Sequence, residues 1–450
     1  MQTVMSRSME RSGNSLWKQM FLYFLPILFG TFFQQLYNTA DAVIVGNYVG
    51  KEALASVGGS SGAIINLLVG FFVGLSGGAT VIIAQGVGAR DKTLVSNAVH
   101  TGIALAIAAG LLLMVLGSAM AGPMLRWMDT PFELLPLSRI YLIIYFLGMI
   151  PNLIYNIGSG ILRAVGDSKR PLYFLIITTF VNIALDFLFV AVFRLGVPGV
   201  ALATIISQAI SAAMVMYVLI KTKDIYRLWV SRIRFHPKTL KQIIRIGIPA
   251  GIQSTMYSMS NLLIQASINS FGTDVVAAWT AFTKLDALNW MGSGAFGTTV
   301  ATFAGQSYGA CDYKKMRRIV RIGTIMNAIY AGSLSIAMVF GGQYAMRLFL
   351  DDPSVIAHSI TMIRYLATGY VLFIPIELLA AVCRSAGDTL RPTVMTALGI
   401  CGFRILWIST VLQRWHTLEV LTICYPLSWV ITSILFLIYY YRGNWLRTYH

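Results

Sequence analysis

Charge is scarce in this chain: Asp, Glu, Lys and Arg together make up 11% of its 450 residues, against roughly 25% in soluble domains. So little charge cannot cover the surface of a water-soluble protein of this size, which excludes a soluble enzyme or binding module. Cysteine is sparse too. Cys311, Cys383, Cys401 and Cys424 are scattered, which fits neither a disulfide framework nor a metal site and leaves small apolar packing as their reading. The five histidines (His100, His236, His358, His416, His450) form no His-Glu-x-x-His and fall near span ends or in loops, so a membrane-embedded hydrolase lacks its constellation. No Gly-x-x-x-x-Gly-Lys-Ser/Thr run occurs, so ATP is not the expected energy source and no cofactor is expected.

What the chain has in excess is apolar sequence, 57% hydrophobic residues with a mean hydropathy of +0.71. Hydrophobic runs lie near 16–43, 54–84, 96–121, 138–162, 171–192, 198–220, 243–270, 276–305, 322–346, 357–382, 393–412 and 418–441. Each is long enough to cross a hydrocarbon layer of about 30 Å. The reading is an all-α membrane protein of twelve transmembrane helices with no soluble domain. The first run follows Arg7, Glu10, Arg11 and Lys18; it is too long for a signal-peptide core and has no small-residue cleavage pattern, so removal is not expected.

The net charge of +17 raises the question of nucleic acid, but the placement of the basic residues argues for membrane orientation instead. About 25 fall on one side, including Arg90, Lys92, Arg163, Lys169, Arg170, the run from Lys221 to Arg245, Lys314 to Arg321, Arg384, Arg391, Arg442 and Arg447, against about 7 opposite. The far side holds Lys51, Arg126, Arg139, Arg194, Arg347, Arg364 and Arg414, with the acids Asp129, Glu133, Asp351 and Asp352. The expectation is a monomeric, multi-pass protein of the cytoplasmic (inner) membrane with both termini cytoplasmic and no nucleic-acid partner.

The chain is a fused duplication. Arg163, Gly166-Asp167 and Arg170-Pro171 recur 221 positions later (166 to 387) as Arg384, Gly387-Asp388 and Arg391-Pro392. The same offset aligns Gln85, Gly88-Ala89 and Asp91 with Gln306, Gly309-Ala310 and Asp312. The longest polar stretch between runs, 221–245, contains Pro237 and reads as a basic cytoplasmic linker between six-helix lobes 1–220 and 246–450. Six spans is an even number, so both lobes enter the membrane in the same direction, related by a pseudo-two-fold axis along the membrane normal. The Gly-Asp-x-x-Arg-Pro box reads first as helix punctuation: Gly ends one helix, Asp caps the next and Pro sits in its first turn. A latch between Arg163 and Asp167, or Arg384 and Asp388, is the functional alternative. Gly74, Gly77, Gly78, Gly86, Gly292, Gly294, Gly297 and Gly305 read as close-packing positions.

Ionisable side chains inside spans cost about 2.5–3.5 kcal/mol each on insertion scales, so each demands a reason. Gln34, Asn38 and Asp41 fall at i, i+4 and i+7 on one face of the first span, and Asn182 and Asp186 at i and i+4 in the fifth. Two carboxylates and an amide oxygen, with the Thr204 hydroxyl, are hard oxygen donors suited to Na⁺ or a shared proton. If the acids meet, their repulsion is relieved by protonation or cation capture; the bland alternative is two unrelated, locally satisfied carboxyls. The 221 offset puts Phe403 and Trp407 opposite Asn182 and Asp186, so an ion site is expected in the first half alone. The second half offers Gln253, Tyr257, Asn261, Gln265 and Asn269 at i+4 steps, with Glu377 in the tenth span. These read as cavity lining, or as interhelical glue. Arg404 and Lys284 look buried, with Glu377 and Asp286 as candidate partners; Asp286 is only i+2 from Lys284, on another face. Pro26 and Pro249 occupy equivalent places in the first and seventh spans, where a missing backbone hydrogen bond permits a kink.

The run Gln34-Gln-Leu-Tyr37-Asn-Thr-Ala-Asp41-Ala-Val-Ile-Val-Gly46, the paired boxes and the Asn-x-x-x-Asp of the fifth span resemble the multidrug and toxic compound extrusion (MATE) family over essentially the whole chain, the DNA-damage-inducible protein F-like branch most of all. That resemblance implies two six-helix lobes and ion-coupled (H⁺ or Na⁺) export of lipophilic organic cations. It assigns Asp41, Asn182, Asp186 and Thr204 to the cation-binding cluster, with Tyr141 and Asn156 as polar neighbours. Glu377 resembles the tenth-span acid of another branch, whose seventh-span acid has no counterpart here, which puts a second-lobe ion site in doubt. The substrate cavity is then expected to include Gln34, Tyr37, Asn38, Tyr141, Asn156, Tyr257, Asn261, Gln265 and Glu377. A lipid-linked oligosaccharide flippase shares the two-lobe plan, but would favour a cleft rich in cations.

Overall fold

The computed structural model describes residues 16–347, 352–443 and 445–446, so Arg7, Glu10, Arg11, Asp351, Arg447 and His450 lie outside the described residues. Of the described residues 88% are helical, as they must be where hydrocarbon offers the backbone no hydrogen-bond partner. No strand occurs among the described residues. The helices are α1 (Leu16–Tyr48), α2 (Lys51–Gly88, interrupted at Gly59), α3 (Lys92–Trp127), α4 (Leu135–Leu147 and Met149–Ala164), α5 (Lys169–Val192), α6 (Val197–Lys221), α7 (Pro237–Asn269), α8 (Thr273–Gly309), α9 (Tyr313–Met346), α10 (Pro353–Ser385), α11 (Leu390–Arg414) and α12 (Leu418–Arg442).

Nine of these are long and apolar enough to cross a membrane as they stand, and α4 joins them as a span bent by 52° at Gly148. Helices α7 and α8 have the length but are more polar, because they carry the Gln–Asn stripe and the Lys284, Asp286 and Asn289 group. The twelve-helix expectation is met. The fourth span, though, is broken rather than straight, and α10 contains a tight turn at Ala367–Gly369.

The chain divides into two compact units, Met1–Gly251 and Ile252–His450. In the first, α1 lies along α5, α2 packs on α3 and α4, and α6 on α4 and α5. The Thr179 hydroxyl ties α5 to α1 by donating to the Phe33 carbonyl at 3.3 Å. In the second, α8 packs on α9 and α10, and α10 on α12. Of the expected linker, 222–236 is irregular apart from a 3₁₀ turn at Val230–Arg232, and 237–245 already belongs to α7. The irregular part is fastened to the first unit: the Trp229 N–H donates to His100 Nε2 at 3.1 Å and the His236 N–H to Thr101 Oγ1 at 3.2 Å.

The duplication is written into the backbone. Asp91 Oδ1 accepts from the Thr93 and Leu94 N–H groups at 2.9 Å to start α3, and Asp312 Oδ1 from Lys315 N–H at 2.9 Å to start α9. The residues before them, Arg90 and Cys311, both take left-handed angles, φ 58° and 56°. Cys311 is therefore an exposed turn residue, unlike the three buried cysteines. Gly166 and Gly387 match likewise at φ 96° and 92°, conformations that cost a side chain energy and glycine none. Asp167 Oδ1 accepts from the Lys169 and Arg170 N–H groups at 3.2 and 3.1 Å, so the box does punctuate the helices. The charge partner of Asp167 is Arg170, at 3.3 Å, rather than Arg163. Asp388 pairs with Arg391 at 3.5 Å and accepts a short hydrogen bond from the Tyr439 hydroxyl.

Small residues let helices close up at some sites and not others. A Cβ on Gly110 of α3 would meet the Ile150 Cα of α4 at 2.7 Å, whereas Gly77 and Gly294 have nothing within 4 Å, so close packing does not account for those two. Gly110→Val is expected to destabilise the first unit by about 1–3 kcal/mol through overpacking, and Gly77→Ala to be neutral or stabilising by a few tenths. Thermal unfolding of the two variants in detergent checks both; equal melting temperatures would contradict this account of the α3–α4 contact.

Candidate functional site

The pairing of α1 with α5 decides where the acids go. Asp41 enters from α1, Asn182 and Asp186 from α5, and Thr204 from α6; their exposures are 8%, 0%, 0% and 2%. The Asp41 and Asp186 carboxyls lie within direct interaction range of each other, with the Asn182 amide beside Asp41. Tyr37 lies beside Thr204 and within electrostatic range of Asp41, and Tyr141 is in range of both carboxyls. Yet Asp41 Oδ1, both oxygens of Asp186 and both amide atoms of Asn182 are buried without a hydrogen-bond partner. Immediately after Asp186, α5 widens into a π-helical turn, Phe187–Val192, a distortion concentrated at functional sites.

Two residues that sequence reasoning missed belong here. Tyr145 lies in range of Asp41, and Gln208, whose Oε1 is buried and unpartnered, reaches Tyr145. Each stands four residues beyond an assigned one, Tyr141 and Thr204, so continuing those helical faces by one turn would have found them. Gln34 and Asn38 are exposed, and the stripe on α1 passes from exposed amides to a buried acid. Asn156 is engaged elsewhere in α4: its amide donates to Asn152 O and Oδ1, both at 2.9 Å.

Chemically, the cluster is a set of buried oxygens with no donor to satisfy them. Two carboxylates at this range repel each other, and in a low-dielectric site the repulsion is severe. One proton or one monovalent cation between them removes it. The donors are hard oxygens, suited to H⁺ or Na⁺ and not to soft metals. No group of three or more His, Cys, Asp and Glu suited to a metal occurs among the described residues.

The second unit holds a cavity of about 530 Å³, lined by Tyr257, Asn261 and Gln265 of α7, Asp286 of α8, Glu377 of α10 and Arg404 of α11. Of the stripe expected to line a cavity, Tyr257, Asn261 and Gln265 share this space with Glu377, whereas Asn269, which accepts from Gln265 Nε2 at 3.0 Å, does not line it. Gln253 does not: its amide donates to Thr396 Oγ1 at 3.1 Å, as interhelical glue. Arg404 does not pair with Glu377 as expected; its guanidinium lies over the Tyr425 ring at 4.0 Å. Lys284 is exposed rather than buried. Asp286 is held instead by the Tyr370 hydroxyl at 2.6 Å and Trp290 Nε1 at 2.7 Å. Trp290 stands one turn further along α8, at i+4, whereas Tyr370 comes from α10 and no spacing rule reveals it.

The MatE family profile matches residues 26–188 and 249–408, once in each half. The chain is 30% identical over 449 residues to "Probable multidrug resistance protein YoeA" of Bacillus subtilis (strain 168), covering 97% of this chain and 96% of that protein. It is 24% identical to "Probable multidrug resistance protein NorM" of Thermotoga maritima, covering 95% of this chain and 93% of that protein. Among solved structures, a MOP superfamily transporter from Pyrococcus furiosus superposes with TM-score 0.88 at 22% identity over 96% of both chains. An outward-facing multidrug resistance MATE family transporter gives 0.88 at 21%, again over 96% of both. These two establish the fold.

The unpartnered acid pair carries a stability cost that substitution should relieve, since functional sites trade stability for activity. Asp186→Asn introduces an amide N–H that can donate to Asp41, and is expected to raise the melting temperature at pH 8 by the equivalent of about 1–3 kcal/mol. A lower melting temperature for this variant would mean that the acids are satisfied in place.

Proposed function

This chain belongs to the MatE family, whose members are transporters and not enzymes, and on that premise we propose that it is an ion-coupled antiporter exporting lipophilic, mostly cationic organic compounds across the cytoplasmic membrane. The observation that carries the reading is the buried pair Asp41 and Asp186, with its unpartnered oxygens, beside Asn182 and Thr204. A site that repels itself until a cation or proton arrives is a device for coupling. From the outward-facing state, H⁺ or Na⁺ binds there, disfavours the substrate, and the emptied transporter returns inward. Each ligand shifts that equilibrium only by its difference in affinity for the two states.

We assign substrate contact to Gln34, Tyr37, Asn38, Tyr141 and Asn156 in the first unit and to Tyr257, Asn261, Gln265 and Glu377 in the second. Pro26 and Pro249 lie inside the continuous helices α1 and α7 and serve as flexing points, because proline removes one backbone hydrogen bond from the ladder. Bending α1 at Pro26 moves Asp41, which links ion capture to helix shape. The basic side faces the cytoplasm with both termini. One charge crossing 100 mV yields about 2.3 kcal/mol, near a 50-fold concentration ratio. Exchange of one monovalent ion for one monocation moves no net charge, so the ion's chemical gradient alone then drives export.

Asp41→Asn is expected to abolish ethidium export from cells while the protein still reaches the membrane; normal export by that variant would sink the assignment. In proteoliposomes, comparing uptake driven by a pH step with uptake driven by a Na⁺ step identifies the ion, and a response to neither contradicts coupling. Pro26→Ala should slow ethidium exchange at least several-fold, and a full rate removes the hinge role.

A further inference from the structure

The loop between α6 and α7 gathers positive charge and exposed apolar surface in one place. Between 221 and 245 stand eight Lys and Arg residues against one acid, Asp224. Arg227 lays its guanidinium over the Trp229 ring at 3.9 Å, and Arg232 approaches the same ring at 5.7 Å. The backbone sets the second approach: the Arg232 N–H donates to the Trp229 carbonyl at 2.8 Å beside the 3₁₀ turn Val230–Arg232. A ring face attracts a cation but accepts none of the fork's in-plane N–H bonds, and Arg227 Nε is buried without a hydrogen-bond partner.

The same turn exposes large apolar side chains. Trp229 is 44% exposed, Val230 60% and Phe235 45%, on a segment that begins where the span α6 ends at Lys221. Such groups are costly in water. At the edge of a hydrocarbon layer they reach into it, while the arginines beside them stay at headgroup level. The loop is also held in place: the bonds from the Trp229 and His236 N–H groups to His100 and Thr101 of α3 fix it at two points. The guanidinium groups and the apolar tips are therefore presented together, with less ordering left to do on binding.

These features narrow the partner. Two guanidinium groups flanking one ring match a phosphate, which takes N–H bonds from several directions, and the apolar tips require that the phosphate come with hydrocarbon attached. A nucleic acid fits less well, because the Arg227 guanidinium already covers a face of Trp229 and Val230 offers no surface for a base to stack on. Basic segments next to a membrane span are drawn to anionic lipid. We propose that residues 227–235 form a docking surface for an anionic phospholipid of the adjoining leaflet, its phosphate taken between Arg227 and Arg232 and its acyl chains beside Val230 and Phe235. The inference goes beyond the transport reading and needs neither its cargo nor its coupling ion.

The test uses the full chain in detergent micelles, titrated with acyl-pyrene phosphatidylglycerol and with acyl-pyrene phosphatidylcholine, binding being read by energy transfer from tryptophan. Phosphatidylglycerol is expected to bind at least ten-fold tighter than phosphatidylcholine, and the double variant Arg227→Gln, Arg232→Gln to remove most of that preference. Arg232→Gln alone, at an exposed position, should weaken phosphatidylglycerol several-fold, which keeps the test valid if loss of Arg227 unsettles the loop. The double variant Lys314→Gln, Arg318→Gln removes two exposed charges from the start of α9 and should leave binding unchanged. Equal affinity for the two lipids, or equal weakening by the two double variants, overturns the proposal. Displacement of the lipid by equimolar inorganic phosphate or by oligodeoxythymidylate overturns it too, since the site would then serve a water-soluble anion. Ethidium export by the parent protein tells this inference from the transport reading: export with no lipid preference removes only the docking surface, and a lipid preference without export removes only the transport reading.

Discussion

Hydrocarbon accepts and donates no hydrogen bonds, and every other feature of this protein follows from that constraint. It forces the backbone into helices and makes each polar side chain within a span find a partner inside the protein. Most do so locally. Thr178, Thr204, Thr299, Thr422 and Thr432 return their hydroxyls to a carbonyl one turn back. Asn156 turns to Asn152, and Gln253 crosses to Thr396. Against that background stand the groups with buried atoms left without partners, among them Asp41, Asn182, Asp186 and Gln208 in one unit and Asn289, Asn327, Arg404 Nε and Trp429 Nε1 in the other.

The two halves repeat each other in their turns and diverge in their spans. Arg90 and Cys311, or Gly166 and Gly387, hold nearly identical backbone angles, since a helix-to-helix turn of given length has few solutions. Within the spans, the fold requires only apolar bulk, so the side chains that carry chemistry were free to change. Thus the helix face that holds Asn182 and Asp186 in the first half carries Phe403 and Trp407 in the second. Both distinctive charges adjoin a π-helical turn: Phe187–Val192 follows Asp186, and Ala397–Gly402 precedes Arg404. The extra residue changes the phase of the helix, so side chains on either side of it leave in different directions.

Residue order alone determined the helical class, the duplication and which polar residues share a face within α1 and within α5, because hydropathy, the 221-residue offset and i, i+4 spacing are local properties that survive in one dimension; that Asp41 and Asp186 meet was decided by the packing of α1 on α5. Residue order also marked Tyr257, Asn261, Gln265 and Glu377 as companions. It did not determine partners. The break of α4 at Gly148, the exposure of Lys284 and Cys311, the seat of Arg404 on Tyr425 instead of beside Glu377, and the hold of Tyr370 on Asp286 were decided in three dimensions. Helical spacing tells which residues share a face. Which other helix that face meets, and at what height, depends on packing between segments far apart in the chain, and no local pattern encodes it.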